Sequence, residues 1–380
     1  MELTNNDLTK EISIQMKAEQ IENQLSKLKL HGRTIFDEDK QALFFNWTCA
    51  GIEFTFCGTK LDIEFLAAPG QEIEGLPFDQ TAPRRDTWPW IAVLLDGEEE
   101  PYLRFEIGRD KEVKTLFESK TEETHVIRIV KLTENSKSYV GITQFEMEGQ
   151  ILETFQENKK TIEFIGDSIT CGFGNTVEDR DRLFFSEDEN GWMSYGSIAA
   201  RTLGMEWNMV CMSGICSEIR TGMPMDYGMN DLYRYTDRIW QDRFRKDQEL
   251  RKWNFKANPK DYVIINLGTN DATGIILSED QDKELEKFHK GYKEFVKTVR
   301  DCNGPETRII CALGSMDYYL YHDIIEIVNE YKKETGDSKI SCLRFKKMAA
   351  FDPIGACGHP HLVTDQKMAD ELVAEIQKLG

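Results

Sequence analysis

The sequence predicts an α/β protein in two parts: an antiparallel β-sandwich, followed by a domain with a parallel sheet of about five strands and helices on both faces. Three observations carry this. From about His31 to Gly149 apolar residues recur with period two and no long helical stretch intervenes. Beyond about Gln156 short apolar strands alternate with helical segments, the pattern of a parallel sheet. The 380 residues leave room for two cores, at roughly 100–200 residues per domain. The expected divisions are an N-terminal helical extension over 1–30, the sandwich over 31–152 and the second domain over 158–380.

Taken in order, Ile14, Ala18, Ile21, Leu25 and Leu28 alternate spacings of four and three, one apolar stripe on a helix. It reads as a helix laid on its own domain, with a homodimer contact as the alternative. In the sandwich, Ile52, Phe54 and Phe56 alternate with polar residues. After CGTK, which reads as a turn, Leu61, Ile63 and Phe65 do the same, so the pair predicts a hairpin. WIAVLLDGEEEPYLRFEI repeats the design with Asp96-Gly97 as its turn signal. HVIRIVKL and YVGITQFEM add further strands. In the second domain the strands are TIEFIG, MEWNMVCMS, DYVIINLG, TRIICALG and KISCLRF. Leu285, Phe288, Tyr292, Phe295 and Val299 trace one helical face. A final helix opens near Thr364 as N-cap and turns Met368, Leu372, Val373, Ile376 and Leu379 inward.

A formal charge of −20 argues against nucleic acid or an anionic membrane surface as partner, because phosphate binding needs clustered Lys and Arg. The opening MELTNNDLTKEI shows neither the basic flank nor the apolar core of an export signal. No apolar run approaches the ~18–20 residues that span a bilayer. Nine cysteines without a CxxC pair fit reduced thiols. A cytoplasmic location is therefore expected.

In a parallel sheet, active residues lie beyond the carboxyl ends of the strands. The first strand runs into Gly166-Asp167-Ser168-Ile169, the second into Ser213-Gly214-Ile215, and the third into Gly268-Thr269-Asn270-Asp271. A serine hydroxyl, a glycine N–H and an asparagine carboxamide would open on one edge: a nucleophile and donors for a developing oxyanion. The missing base is supplied by Gly358-His359-Pro360, just before the last helix. Each piece alone is ordinary, since a GDS tripeptide is more often a turn and an asparagine more often a cap. The glycines of CGFGN fit neither phosphate-loop pattern. His359-Pro360-His361 lacks partners at metal-ligand spacing, so no metal is expected.

These segments together resemble a known family. GDSI, the glycine of SGI, GTND and the C-terminal GHP match the four motif blocks of SGNH, or GDSL-type, hydrolases. HGRTIFDEDKQALFFNWTCAGIEFTFCG, the Asp-Gly hairpin and KMADEL resemble carbohydrate esterase family 2. The resemblance implies a jelly-roll-like N-terminal domain, a flavodoxin-like SGNH domain and acetyl esterase activity. It assigns the nucleophile to Ser168, the base to His359 and the oxyanion donors to Ser168, Gly214 and Asn270.

The chain departs from the pattern behind its histidine. SGNH hydrolases usually carry an Asp three residues before it, some family 2 members two before; here Ala356 and Cys357 stand there. That Asp fixes the imidazole tautomer and stabilises the imidazolium. A main-chain carbonyl near Ala356 or Cys357 would hold the tautomer without adding charge, which predicts a Ser168–His359 dyad. Asp352 is the alternative acid. The expected reaction removes acetyl groups from plant-derived xylo- or manno-oligosaccharides through an acyl-enzyme, without a cofactor. A general short-acyl esterase and a non-catalytic carbohydrate-binding protein are the alternatives. Trp192, Tyr227, Tyr318 and Tyr319 are the candidate sugar contacts, aromatic faces suiting the C–H faces of sugar rings.

Overall fold

The computed structural model describes residues 16–73, 81–154, 158–220, 223 and 225–380. The N-terminal part is antiparallel throughout. Its strands are β1 (Lys17–Gln20), β2 (Lys29–His31), β3 (Ile35–Asp37), β4 (Ala42–Phe44), β5 (Gly51–Ile73), β6 (Arg84–Thr87), β7 (Trp90–Leu95), β8 (Leu103–Glu106), β9 (Lys111–Lys131) and β10 (Ser138–Leu152). They run in the order β3–β4–β10–β5–β9–β7–β8, with β1 on β10 and both β2 and β6 on β5. Asp96 and Gly97 both take positive φ (53° and 79°) in the connection from β7 to β8, as the Asp-Gly signal predicts.

Two expectations change here. CGTK is not a turn: β5 runs unbroken through it for 23 residues. Its pairing with β9 slips between Gly58 and Lys60, and its pairing with β10 slips opposite, between Glu148 and Gly149. An extra residue inverts strand parity. The inward set therefore passes from Ile52, Phe54 and Phe56 to Leu61, Ile63 and Phe65, all fully buried on one core. Glycine is required at this irregularity, since a Cβ on Gly58 would lie 2.2 Å from the Glu148 carbonyl oxygen.

The N-terminal helix is the second correction. Ala18 sits in β1, paired with Glu146 of β10, and Ile21–Lys27 form a 3-10 helix. Ile21 and Leu28 reach the core from that geometry and Leu25 packs against it. The edge of β10 offers main-chain partners that an isolated helix of this length would lack. Ile14 lies outside the described residues.

The C-terminal part is a parallel sheet of β11 (Thr161–Gly166), β12 (Glu206–Cys211), β13 (Tyr262–Asn266), β14 (Arg308–Leu313) and β15 (Ile340–Arg344), ordered β12–β11–β13–β14–β15. Its helices are α1 (Ser168–Cys171), α2 (Tyr195–Thr202), α3 (Met229–Leu232), α4 (Arg238–Phe244), α5 (Thr269–Ile276), α6 (Gln281–Asn303), α7 (Tyr321–Thr335) and α8 (Leu362–Leu379). Alternate strand residues face opposite layers. Ile162, Phe164, Ile264 and Ile310 pack with α2 and α8, whereas Ile165, Val263, Ile265 and Ile309 pack with α6 and α7. Helix α8 starts three residues earlier than expected, capped by His361, whose Nδ1 accepts from the Val363 N–H at 3.3 Å.

Buried polar contacts join the two parts. Arg33, fully enclosed, donates to the carbonyls of Tyr233 (2.5 Å) and Tyr235 (2.7 Å) and to Glu163 of β11 (3.2 Å). Trp47 donates to the Thr236 carbonyl at 2.8 Å. Asn46 and Asn135 each bond the Asp237 carboxylate.

Candidate active site

Strand β11 lies between β12 and β13, so the sheet order turns at its carboxyl end, where such sheets form a crevice. Gly166 is level with Cys211 and Asn266 on the two neighbours. A Cβ on Gly166 would meet Thr170 Oγ1 at 1.9 Å, which keeps this position glycine. Asp167 then caps α1, its Oδ1 accepting from the Ile169 N–H at 3.0 Å. Ser168 is thereby held at the first residue of that turn, nearly buried.

The imidazole of His359 reaches across 191 residues of sequence to meet it: Nε2 lies 2.9 Å from Ser168 Oγ. The other ring nitrogen, Nδ1, lies 3.2 Å from the carbonyl oxygen of Ala356. A carbonyl can only accept, so Nδ1 carries the proton and Nε2 faces the serine hydroxyl as a bare acceptor. The turn that permits this has positive φ at Cys357 (52°) and Gly358 (76°). Burial lowers the imidazole pKa to about 4, against the opposing pull of the Ala356 and Cys357 backbone. One side of the ring lies against Phe173, centroids 4.4 Å apart, and Phe173 stacks on Phe184 at 3.9 Å. Asp352 is elsewhere, paired with Lys367 and accepting from the Ala349 N–H.

Asn270, second residue of α5, donates through Nδ2 to the Ile215 carbonyl (3.2 Å) and to Asp167 Oδ2 (3.4 Å). It therefore ties together the ends of all three strands. Gly214 takes a left-handed φ of 80°, and the preceding Ser213 N–H donates to Glu134 Oε2 at 2.6 Å. Burial raises the Asp167 carboxyl to about 7.

Residues that sequence reasoning passed over brace this edge. Asp271, beside Asn270, accepts from Ser217 N and Oγ and from Arg220 Nε at 2.8 Å, all buried. This ion pair locks the chain after Gly214 to α5. GTND displayed Asp271, but nothing local announced Arg220 as its partner. Glu134 comes from the β9–β10 connection, a domain read only as sandwich.

The four aromatic candidates differ in their surroundings. Trp192 is a core residue: its ring packs on Trp207, near the start of β12, with Arg201 against it (4.4 Å), and Nε1 donates to the Glu99 carbonyl. The sugar-contact expectation for Trp192 is thereby corrected, because its face is already covered. Tyr227 donates to Asp242 at 2.7 Å with Arg238 over its ring. Tyr318 and Tyr319 follow β14, Tyr318 beneath Arg344 and Tyr319 half exposed. Asp317 of that segment lies close enough to Asp167 to raise its pKa, so this stretch borders the site. Thr221, Gly222 and Pro224 of the Met- and Tyr-rich loop lie outside the described residues.

Among the described residues, two groups have metal-ligand types close together, Glu134, Cys171 and Glu189, and His289, Asp323 and Glu326; neither includes Ser168 or His359. In the first, the buried ammonium of Lys131 already lies beside both carboxylates. What the edge offers chemically is a hydroxyl on a neutral imidazole beside amide donors, the equipment of acyl transfer.

Comparison with known proteins follows these two parts. Residues 164–351 match the GDSL-like lipase/acylhydrolase family, and residues 30–154 match the carbohydrate esterase 2 N-terminal family. The chain is 29% identical over 371 residues to cellulase/esterase CelE of Acetivibrio thermocellus, covering 90% of this chain and 40% of that protein. This chain thus spans less than half of that relative's length. It is 24% identical over 349 residues to an acetylxylan esterase/glucomannan deacetylase of Cellvibrio japonicus, covering 88% and 85% of the two. A family two carbohydrate esterase from Clostridium thermocellum, solved with cellohexaose, superposes with a TM-score of 0.77 at 27% identity. That match covers 93% of this chain and 98% of the other. The chain therefore joins a carbohydrate esterase 2 N-terminal domain to a GDSL-like lipase/acylhydrolase domain, and its relatives are family 2 carbohydrate esterases.

Proposed function

We propose that the protein is a carboxylic ester hydrolase that removes O-acetyl groups from plant-derived xylo- or manno-oligosaccharides, working with a Ser168–His359 dyad. The observation that carries this is the line Ser168 Oγ, His359 Nε2, His359 Nδ1, Ala356 O, with spacings of 2.9 and 3.2 Å at its ends. Nε2 accepts the hydroxyl proton as Oγ attacks the acetyl carbonyl, and the Ala356 carbonyl receives the Nδ1–H of the resulting imidazolium. The N–H groups of Ser168 and Gly214, with the Asn270 amide, are the donors for the tetrahedral oxyanion. His359 then returns the proton to the departing sugar oxygen, and water attacks the acyl-serine by the same route. A backbone carbonyl supplies orientation without a full negative charge. The choice of carbohydrate ester draws on the relative named acetylxylan esterase/glucomannan deacetylase. Nine unpaired cysteines favour a reducing compartment such as the cytoplasm.

The test is acetate release from acetylated xylo- and manno-oligosaccharides by wild type and Ser168→Ala. Release by wild type, abolished to near background in the variant, is expected. Wild-type inactivity with retained sugar binding would overturn the hydrolase reading. Comparable turnover on long-chain esters would move it to a general esterase.

A further inference from the structure

The connection between β9 and β10 leaves the N-terminal sheet and enters the catalytic edge. Glu134, at its centre, is fully buried. Oε2 accepts from the Ser213 N–H at 2.6 Å and from Ser136 Oγ at 2.8 Å, while Oε1 has no hydrogen-bond partner. Its backbone N–H donates to Glu189 Oε2 at 3.2 Å. A buried carboxylate with an idle oxygen is costly to maintain by packing alone. We propose that Glu134 is a positioning residue for the hydrolysis: it fixes the Ser213–Gly214 turn that offers an oxyanion donor.

This assignment rests on the proposed acyl-transfer reading of Ser168 and His359. The groups around the carboxylate fit it. Lys137 is paired with Glu72, while Glu134 serves Ser213 and Ser136. Glu189, buried against Glu134, has its pKa pushed well up by burial and by that neighbour. The buried Lys131 ammonium lies beside both carboxylates and donates to the carbonyls of Thr133 and Glu134. Arg182 is held by Asp188 and Glu187. His361 lies 3.8 Å from Glu178. Asp167, beside the nucleophile, has its carboxyl raised by burial. The Cys357 thiol is pushed up as well and stays neutral. The N-terminal domain then contributes to turnover through the acid it delivers, not only through the walls of a cleft.

Glu134→Gln keeps the shape and an acceptor for Ser213 but removes the charge. The deciding readout is the kcat-against-KM split together with rescue by the conservative variant. In turnover of an acetyl ester Glu134→Ala is expected to lower kcat about a hundredfold with KM within twofold, and Glu134→Gln, which still accepts from Ser213, to recover about tenfold of that loss. A kcat for Glu134→Ala within twofold of wild type, or an equal loss in Glu134→Ala and Glu134→Gln, overturns the proposal. A wild type that hydrolyses no ester while the Gly214 amide resonance moves in Glu134→Ala and not in Glu134→Gln would refute the esterase reading instead, so the two failures are distinguishable.

Discussion

The depressed pKa of His359 makes the pH dependence of turnover a demanding check on the dyad. The base must be neutral in the free enzyme. Burial moves it from 6.5 to about 4, which corresponds to about 3 kcal/mol against the imidazolium. At pH 5 about nine-tenths of the enzyme then carries the neutral base, against about one-thirtieth for an unperturbed histidine. The sign is fixed by the direction of the shift. Protonation costs activity only as pH falls through the folded value, so kcat/KM is flat from neutrality to about pH 5 and its acidic limb centres near 4. The folded protein also loses stability as pH falls from 6.5 towards 4, because the unfolded chain binds the proton first. Asp167, raised to about 7, can add a shallow step, recognised by its disappearance in Asp167→Asn. The assay is kcat/KM for a soluble acetyl ester between pH 4 and 8, with stability followed in parallel. A single acidic limb near 6.5 that persists in Asp167→Asn would refute the buried, carbonyl-oriented imidazole.

Three further outcomes follow from the same geometry. Asn270→Ala removes a donor and is expected to lower kcat by ~10²–10³ with little change in KM, read from steady-state kinetics. Asp352→Ala leaves kcat within about twofold of wild type, since its carboxylate serves Lys367; a large loss would reinstate it as the acid behind His359. Arg33→Met strands Glu163 without its buried partner and is expected to destabilise the protein by about 3–5 kcal/mol, measured by denaturant unfolding.

Much of the site could be read from the sequence because its residues sit at strand ends, and strand ends carry a local signature. Ser168, Gly214 and Asn270 each follow an apolar run directly, and parallel pairing leaves them no edge but a common one. His359 was legible only as the base that three other pieces lacked. Ala356 was legible as an absence: its side chain says nothing, and the group facing the imidazole is its carbonyl, which every residue possesses. Glu134 had no signature at all, because its partner at Ser213 lies 79 residues away and in the other domain. The fold shows the same boundary. CGTK resembled a turn because a bulge and a turn both place glycine where apolar parity changes. The stripe from Ala18 to Leu28 suited a helix by spacing, yet β10 had an edge to fill. Trp192 was recognised as aromatic and near the site in sequence, but Trp207 and Arg201 decide where its ring goes.

The central claim is that Ser168 Oγ, with His359 as its base, carries the acyl group. Acid quench of the enzyme during turnover of an acetylated substrate, followed by peptide mass spectrometry, tests it most directly. The account predicts a single acetyl group on the peptide containing Ser168, at Ser168 itself, and none in His359→Ala. Steady turnover with no acetylated peptide under conditions that trap other acyl-enzymes, or acetyl carried by a different residue, would contradict it.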